Sequence, residues 1–262
     1  MAAQGSRFDA LLAERGEIAR FAITLAIVIG VVGYVQNQGG VTWEPLALSL
    51  QVAGASTVLT LVVGVALAVL LQWRKTPARD FLDAVTSVPL VLPPTVLGYY
   101  LIVSLGPEST IGRAWESIFG SQLIFSFKAA VIAASIGSLP LVVRSVRVGL
   151  ESVEPNLVAA ARTLGAGPAR VFFTVVLPLA APGLVAGAML GFARSLGDYG
   201  ATMMFAGARI DGVPTGSIAV MDFLYGNHEA EAREMGLVMT VVGVGMLYLA
   251  NRLTRRTLPN RA

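Results

Sequence analysis

Residues 151–178 read ESVEPNLVAAARTLGAGPARVFFTVVLP and lie between two long apolar stretches. Pro155 can open a short helix here, because the missing N–H of proline falls in a first turn that has no partner for it. Gly165 and Gly167 can end that helix. One face would carry small or apolar side chains, namely Leu157, Ala160, Ala161 and Leu164. The stretch therefore predicts a short helix outside a membrane, with side chains small enough to fit a partner's groove.

The composition indicates an integral membrane protein. Of its 262 residues, 55% are hydrophobic and 13% are charged, against roughly 25% charged residues in soluble domains. The chain has no cysteine and one histidine, which excludes disulfides, cysteine catalysis and a histidine-based metal cluster. It also lacks a glycine-rich phosphate loop of the Walker type. Any energy from ATP must therefore come from another polypeptide.

Six stretches can cross a membrane, for which a helix needs about 20 apolar residues. They are residues 20–35, 46–71, 81–105, 123–143, 171–196 and 235–250. Residues 1–19 are predicted to form a cytoplasmic N-terminal segment, and residues 252–262 a basic cytoplasmic tail. The predicted fold is an all-α membrane domain with the short helix between the fourth and fifth spans.

The basic residues set the orientation. With the N-terminus in the cytoplasm, fourteen of them fall on the cytoplasmic side and three, Arg113, Arg209 and Arg233, on the other side. The positive-inside rule favours this arrangement. An even number of spans then puts both termini and the 151–170 loop in the cytoplasm, where a soluble ATPase can reach the loop.

Prolines interrupt the third predicted span. Pro89, Pro93 and Pro94 remove backbone donors and leave carbonyl groups without helical partners. Lipid tolerates this only where protein or water supplies the missing bonds, and Thr95 is available to replace one of them. We therefore expect Pro93, Pro94 and Thr95 to line a transport path; the alternative is a kink that only shapes packing.

A charged pair follows the fifth predicted span. Arg194 and Asp198 are four residues apart and can pair on one helical face. Ionisable groups at membrane depth are costly and usually face a cavity or each other. We expect the pair, with Gly197, Tyr199 and Gly200, to form a gate for an anion. The alternative is a salt bridge that only fixes the fifth helix.

The loop resembles the signature loop of ABC importer permeases, which runs Glu-Ala-Ala, three residues, Gly, nine residues and Ile-x-Leu-Pro. The corresponding residues here are Ala159-Ala160-Ala161, Gly165 and Val175-Val176-Leu177-Pro178. The spacing is the same, but Ala159 replaces the acid. We expect Arg162 to hold the loop by another contact instead.

Two further stretches, LVLPPTVLGYYL at 90–101 and FARSLGDYGATMMFAG at 192–207, resemble the molybdate branch of these permeases. That branch typically has Gly-Glu-Phe-Gly-Ala-Thr where this chain has Gly-Asp-Tyr-Gly-Ala-Thr at 197–202. Sulfate permeases usually have Gly-Glu-Tyr-Gly-Ser-Val there. The resemblance covers roughly residues 45–251 and weakens after residue 207.

The resemblance implies a type-1 ABC transporter transmembrane domain over residues 20–251, and an importer of a tetrahedral oxyanion, molybdate or tungstate. The alternatives are a sulfate or thiosulfate permease and, further away, a secondary anion transporter. The permease itself would not be an enzyme. Its implied location is the inner cell membrane, which it would cross several times.

The implied assembly is a permease homodimer in lipid with two ATPase subunits and an extracytoplasmic substrate-binding protein. ATP and magnesium would belong to the ATPases, with no cofactor in this chain and no nucleic-acid partner. The residues implied for coupling to the ATPase are Ala159, Ala160, Ala161, Arg162, Leu164 and Gly165. Those implied for the path or gate are Pro93, Pro94, Thr95, Arg194, Gly197, Asp198, Tyr199 and Gly200.

Overall fold

The structure is a computed structural model that describes residue 30, residues 43–73 and residues 77–257, with the backbone alone for residues 72–73, 77–79 and 249–257. Nearly all regular structure in these ranges is helical, as predicted. The elements are α1 (Glu44–Trp73), α2 (Pro77–Val91), α3 (Pro94–Leu105), α4 (Thr110–Phe119), α5 (Phe127–Glu151), α6 (Pro155–Thr163), α7 (Pro168–Val171), a π-helical turn (Phe172–Val176), α8 (Leu177–Leu179), α9 (Ala181–Leu196), α10 (Gly200–Phe205), α11 (Gly216–Tyr225) and α12 (Glu229–Thr257).

Two described helices are long and apolar enough to cross a membrane, Glu44–Leu71 in α1 and Phe127–Glu151, which is α5. Two bent pairs raise this number to four if each pair counts as one span. Apart from Gly30, the first predicted span lies outside the described residues, and α12 ends among residues described by backbone alone. The structure supports a helical membrane domain, and six spans stay a prediction.

The third predicted span, 81–105, is not one continuous helix. The part of α2 from Asp80 onward and α3 meet at a bend of 116°. Pro93 and Pro94 have no N–H, so the first helical bond of α3 runs from Leu97 N–H to the carbonyl of Pro93, at 3.0 Å. The two prolines therefore end one helix and open the next, as their expected effect on the helical hydrogen bonds implies, and whether the bent pair forms one span stays open.

The fourth predicted span, 123–143, is wrong at both ends, because α5 runs from Phe127 to Glu151. Phe125 has a left-handed φ of 55°, which prevents an earlier helix start. The hydroxyl oxygen of Ser126 then caps the helix by accepting a bond from Ala129 N–H at 3.2 Å. The C-terminal end of α5 includes residues that were predicted to lie in the following loop. Helix α12 is likewise longer than its predicted span.

The fifth predicted span is broken near its prolines, as expected. Leu177 N–H bonds to Phe172 O across a π-helical turn, and Pro178 follows without an N–H. The helical run Pro168–Leu179 and α9 then meet at a bend of 67°. The chain that leaves α6 thus changes direction before it reaches the Arg194 region.

The centre of the bundle is α5, which packs against α1 and α9. Buried hydroxyl groups connect α1 and α5: Thr60 Oγ1 donates to Ser135 O at 3.3 Å, and Ser135 Oγ donates to Ser56 O at 3.3 Å. Small side chains and interhelical hydrogen bonds let membrane helices approach closely, because lipid provides little hydrophobic driving force between helices. These contacts fix α1 and α5 as the frame of the domain.

Glycines bring the backbones of α5 and α9 into direct contact near the loop. A Cβ on Gly183 would lie 2.5 Å from Gly149 Cα and 2.7 Å from Ser145 O. Both neighbours are backbone atoms, which cannot move aside as a flexible side chain can. The crossing of α5 and α9 therefore requires glycine at position 183.

We expect Gly183→Ala to destabilise the domain by about 1–3 kcal/mol, the usual cost of overpacking. Gly54→Ala is the matched control, because a Cβ on Gly54 would have nothing within 4 Å and alanine favours a helix by about 1 kcal/mol. Thermal unfolding in detergent measures both. A Gly183→Ala protein as stable as the Gly54→Ala protein would contradict the close backbone contact.

Candidate functional site

Helix α6 is the centre of the predicted partner-binding loop. It begins at Pro155, as predicted, and ends at Thr163. Gly165 N–H bonds to Arg162 O at 2.9 Å and Ala166 N–H bonds to Ala161 O at 3.1 Å, the pair of bonds that closes a Schellman C-terminus. Gly165 has a left-handed φ of 81°. The residue thus has a local structural role as the helix terminator.

The predicted apolar face of α6 is mostly open. Leu164 is 88% exposed and Leu157 is 40% exposed. Ala160 is also exposed, whereas Ala161 is half-buried. Large exposed apolar side chains that share one face are typical of an interaction surface. We call this surface, formed by Leu157, Ala160 and Leu164, the open face of α6.

Arg162 does not replace the missing acid contact in the described part of the chain. None of the ion pairs found there includes it. Arg162 and Ala159 instead line an apolar cavity between α6 and the bundle. Among these residues, no ion pair therefore supports the prediction that Arg162 fixes the loop.

A network of ion pairs next to the loop was missed by sequence reasoning, and we call it the anchor of the loop. Arg147, near the end of α5, donates to Asp83 of α2 at 3.0 Å and to Glu151 at 3.0 Å. The Arg147–Glu151 spacing of four was a readable signal. The Asp83 contact spans 64 residues and had no local signal. The anchor ties α2, which leads to the proline bend, to the helix that leads into α6.

The proline bend and the glycine-rich segment come into contact. A Cβ on Gly200 would lie 2.9 Å from Pro94 Cβ and 3.0 Å from Thr95 N. A Cβ on Gly98 would lie 2.6 Å from Met204 Cβ. Close approach therefore requires glycine on both sides, and α3 packs tightly against α10. Pro94 and Thr95 of one predicted patch thus lie beside Gly200 of the other.

The Arg194–Asp198 pair forms as predicted, with 3.1 Å between Arg194 NH1 and Asp198 Oδ1. The Asp198 side chain is 2% exposed and the Arg194 side chain is 29% exposed. Arg194 also lies over α5, because a Cβ on Gly137 would be 3.7 Å from its other terminal nitrogen. The carboxylate is thus the buried member of the pair, and the Arg194 side chain is the partly exposed one.

Two further residues hold Asp198 and were missed by sequence reasoning. Thr202 donates its backbone N–H at 2.9 Å and its hydroxyl at 2.8 Å to Asp198 Oδ2. Ser217 Oγ donates to the carbonyl of Asp198 at 2.7 Å. The four-residue spacing from Asp198 to Thr202 could have indicated the first contact, whereas the Ser217 contact depends on how α11 packs.

The remaining predicted site residues have less specific surroundings. Pro93, Pro94 and Thr95 are exposed and Tyr199 is half-buried. Gly197 caps α9 with φ −91°, a conformation that other residues also adopt. The Thr95 hydroxyl takes part in none of the side-chain hydrogen bonds found among the described residues, so its predicted replacement of a lost bond is not seen there.

This arrangement can attract an anion weakly. Burying an unpaired anion in a low-dielectric region is strongly unfavourable, and a partly exposed positive side chain such as Arg194 lowers that cost. Asp198 offsets the positive charge from 3.1 Å away. The bonds from Thr202 satisfy the carboxylate in turn, so the positive member of the pair is the one that an approaching ligand meets.

The chain matches the model of one protein family, the binding-protein-dependent transport system inner membrane component, over residues 60–258. The molybdenum transport system permease protein of Escherichia coli K12 is 47% identical over 163 residues, which are 62% of this chain and 71% of that protein. The Haemophilus influenzae protein of the same name is 39% identical over 211 residues, 80% of this chain and 92% of its own length. A sulfate transport system permease protein of Synechocystis is 32% identical over 230 residues, covering 87% of this chain and 83% of that protein.

Solved structures show the same fold at low sequence identity. The inward-facing MetNI methionine ABC transporter matches with a TM-score of 0.63 and 19% identity, over 83% of this chain and 97% of that chain. A bacterial ABC transporter that imports alginate matches with a TM-score of 0.64 and 13% identity, over 81% of this chain and 78% of that chain.

Proposed function

The chain belongs to the family of binding-protein-dependent transport system inner membrane components, and we propose that it is the permease subunit of an ATP-driven importer of molybdate or tungstate. Relatives named for molybdenum transport are up to 47% identical to it over the aligned residues, against 32% for the sulfate relative. These identities support the oxyanion class and favour molybdate over sulfate.

The observation that carries the coupling role is the open face of α6. Leu164 at the C-terminal end of α6 is 88% exposed, and the helix ends in the Schellman motif at Gly165. A partner that covers this face would bury apolar surface, at roughly 25 cal/mol per Å². Two ATPase subunits on a permease homodimer would each receive one such helix. Closure of the ATPases would then draw the two helices together and turn the path outward.

The Asp198–Thr202 contact supports the molybdate assignment. The molybdate-branch pattern has threonine at position 202, and the sulfate pattern has valine there. Valine could not donate the 2.8 Å hydroxyl bond that Thr202 gives to Asp198. The permease would break no bond in the substrate, and an extracytoplasmic binding protein would deliver the anion to the path.

Uptake into proteoliposomes tests this function. The permease with its ATPases and binding protein should accumulate molybdate only when ATP is enclosed on the ATPase side. A secondary transporter is the second candidate, and it would need ionisable groups near the middle of the membrane for ion coupling. Uptake driven by a proton or sodium gradient, without the ATPases, would favour that candidate.

The proposed topology has its own prediction. A reporter inserted after Arg162 should appear in the cytoplasm, and one inserted at Gly212 should appear outside. Gly212 lies in a tight turn with φ 87° and has free space around its Cβ position, so an insertion there should leave the helices intact. Both reporters on one side of the membrane would contradict the six-span arrangement.

A further inference from the structure

A cavity of about 590 Å³ lies behind α6, on the side away from the open face. Its volume is in the range of about 300–1,000 Å³ that is typical of small-ligand sites. The end of α1, the end of α5, α6, α7 and the π-helical turn all contribute to its walls. Among the described residues that line it, Arg162 is the only charged one, and the others are alanine, valine, leucine, proline and phenylalanine.

The surroundings of the cavity are basic and lie at a membrane edge. Val69 is near the end of α1 and Leu150 is next to the end of α5, and both helices are apolar enough to span. Arg162 and Arg170 are both exposed in the loop between α5 and α9. Clustered basic residues on the cytoplasmic side of membrane helices attract anionic lipid head groups.

The lining favours a lipid chain over a peptide. A peptide segment would bring backbone N–H and C=O groups that need partners when buried, and Arg162 is the one charged or hydroxyl-bearing side chain among the described residues of the walls. An acyl chain needs no hydrogen bonds. A phosphate group matches the donors of an arginine, and Arg162 has no ion pair among the described residues.

We propose that this cavity binds an anionic phospholipid of the inner leaflet, with one acyl chain inside and the phosphate on Arg162. The proposal rests on the proposed topology and is independent of which anion the protein transports. The lipid would support α6 from behind while an ATPase covers its open face. Lipid charge would thereby affect how firmly α6 is held.

The test uses a single cysteine, which is straightforward because the chain has none. Val158→Cys, in the full chain, places a small fluorophore in the cavity wall. The protein is reconstituted in nanodiscs that contain phosphatidylglycerol or phosphatidylcholine with brominated acyl chains, which quench the fluorophore on contact. We expect brominated phosphatidylglycerol to bind with about five-fold higher apparent affinity than brominated phosphatidylcholine, as measured by quenching. This is the effect expected of one basic residue on binding to an anionic lipid. Leu164→Cys, 88% exposed and outside the cavity, should show no such preference.

Two variants decide between the cavity and general surface charge. Arg162→Gln should remove the preference for phosphatidylglycerol, whereas Arg170→Gln, a change of the same kind outside the lining, should keep it. Ala159→Phe fills the cavity and should reduce quenching by both lipids. Equal quenching by the two lipids, or an unchanged preference in Arg162→Gln, would overturn the proposal.

The same measurement identifies other occupants. With the ATPases bound, the preference should persist, and its loss would assign the cavity to the ATPase. Deletion of residues 1–19 should leave the quenching unchanged. If the preference appears only after that deletion, the N-terminal segment of this chain is the occupant and the lipid proposal is wrong.

Discussion

Ala160→Trp is expected to abolish stable assembly with the ATPases while leaving the permease folded in the membrane. Ala160 lies in the centre of the open face of α6, between Leu157 and Leu164. A tryptophan there would hold the helix away from a groove shaped for a small side chain. A loss of about 1.4 kcal/mol of binding free energy lowers the affinity tenfold. We expect the affinity for the ATPases to fall by more than tenfold. Co-purification of the ATPases with the tagged permease measures it.

The substitution has a matched control in α4, which the predicted topology places on the opposite side of the membrane. Ala114 of α4 is also an exposed helical alanine, and Ala114→Trp should leave ATPase assembly unchanged. Gly165→Trp is a less specific probe, because Gly165 has a left-handed φ of 81° that strains any other residue. Normal assembly and transport by the Ala160→Trp protein would remove the coupling role of α6.

Asp198→Ala should be the most damaging single change in the proposed path. It removes the partner of Arg194 and two bonds from Thr202, at a side chain that is 2% exposed. Removing one member of a buried ion pair costs about 3–5 kcal/mol, and the partial exposure of Arg194 favours the low end. Thermal unfolding of the purified permease measures the loss. Asp83→Ala breaks a comparable but more exposed pair with Arg147 and should cost about 1 kcal/mol or less.

The double change separates folding from transport. Arg194→Ala with Asp198→Ala removes the unpaired cation together with its partner, so it should be more stable than Asp198→Ala alone. Transport should stay low, because the guanidinium that attracts the anion is absent. A double variant that transports like the parent would show that the pair only stabilises the structure. Control of the path would then belong to the exposed segment at Pro93, Pro94 and Thr95.

Local signals were enough to predict the loop helix and the charged pair. Pro155 and Gly165 set the ends of α6 through effects confined to one helical turn. Arg194 and Asp198 needed only their four-residue spacing to be placed on one face. These features depend on neighbours in the sequence, and a pattern of residues can therefore indicate them.

Features that depend on packing could not be predicted in the same way. The contact of Gly200 with Pro94 exists because α3 and α10 cross there. Neither of the two sequence stretches contains a local pattern that indicates this crossing. The prolines at 93 and 94 predicted a disturbance of the third span, but not that the two helices would meet at a bend of 116°. The close contact of Gly149 and Gly183 likewise had no signal in either helix.

Substrate-stimulated ATP hydrolysis tests the central claim most directly. The permease, its ATPases and the binding protein are reconstituted together, and hydrolysis is measured with molybdate, tungstate or sulfate at equal concentration. We predict strong stimulation by molybdate and tungstate and little by sulfate, all of it lost when the Ala160→Trp permease replaces the parent in the reconstitution. Stimulation by sulfate equal to that by molybdate, or hydrolysis that ignores all three anions, would contradict the assignment of this chain as a molybdate importer permease.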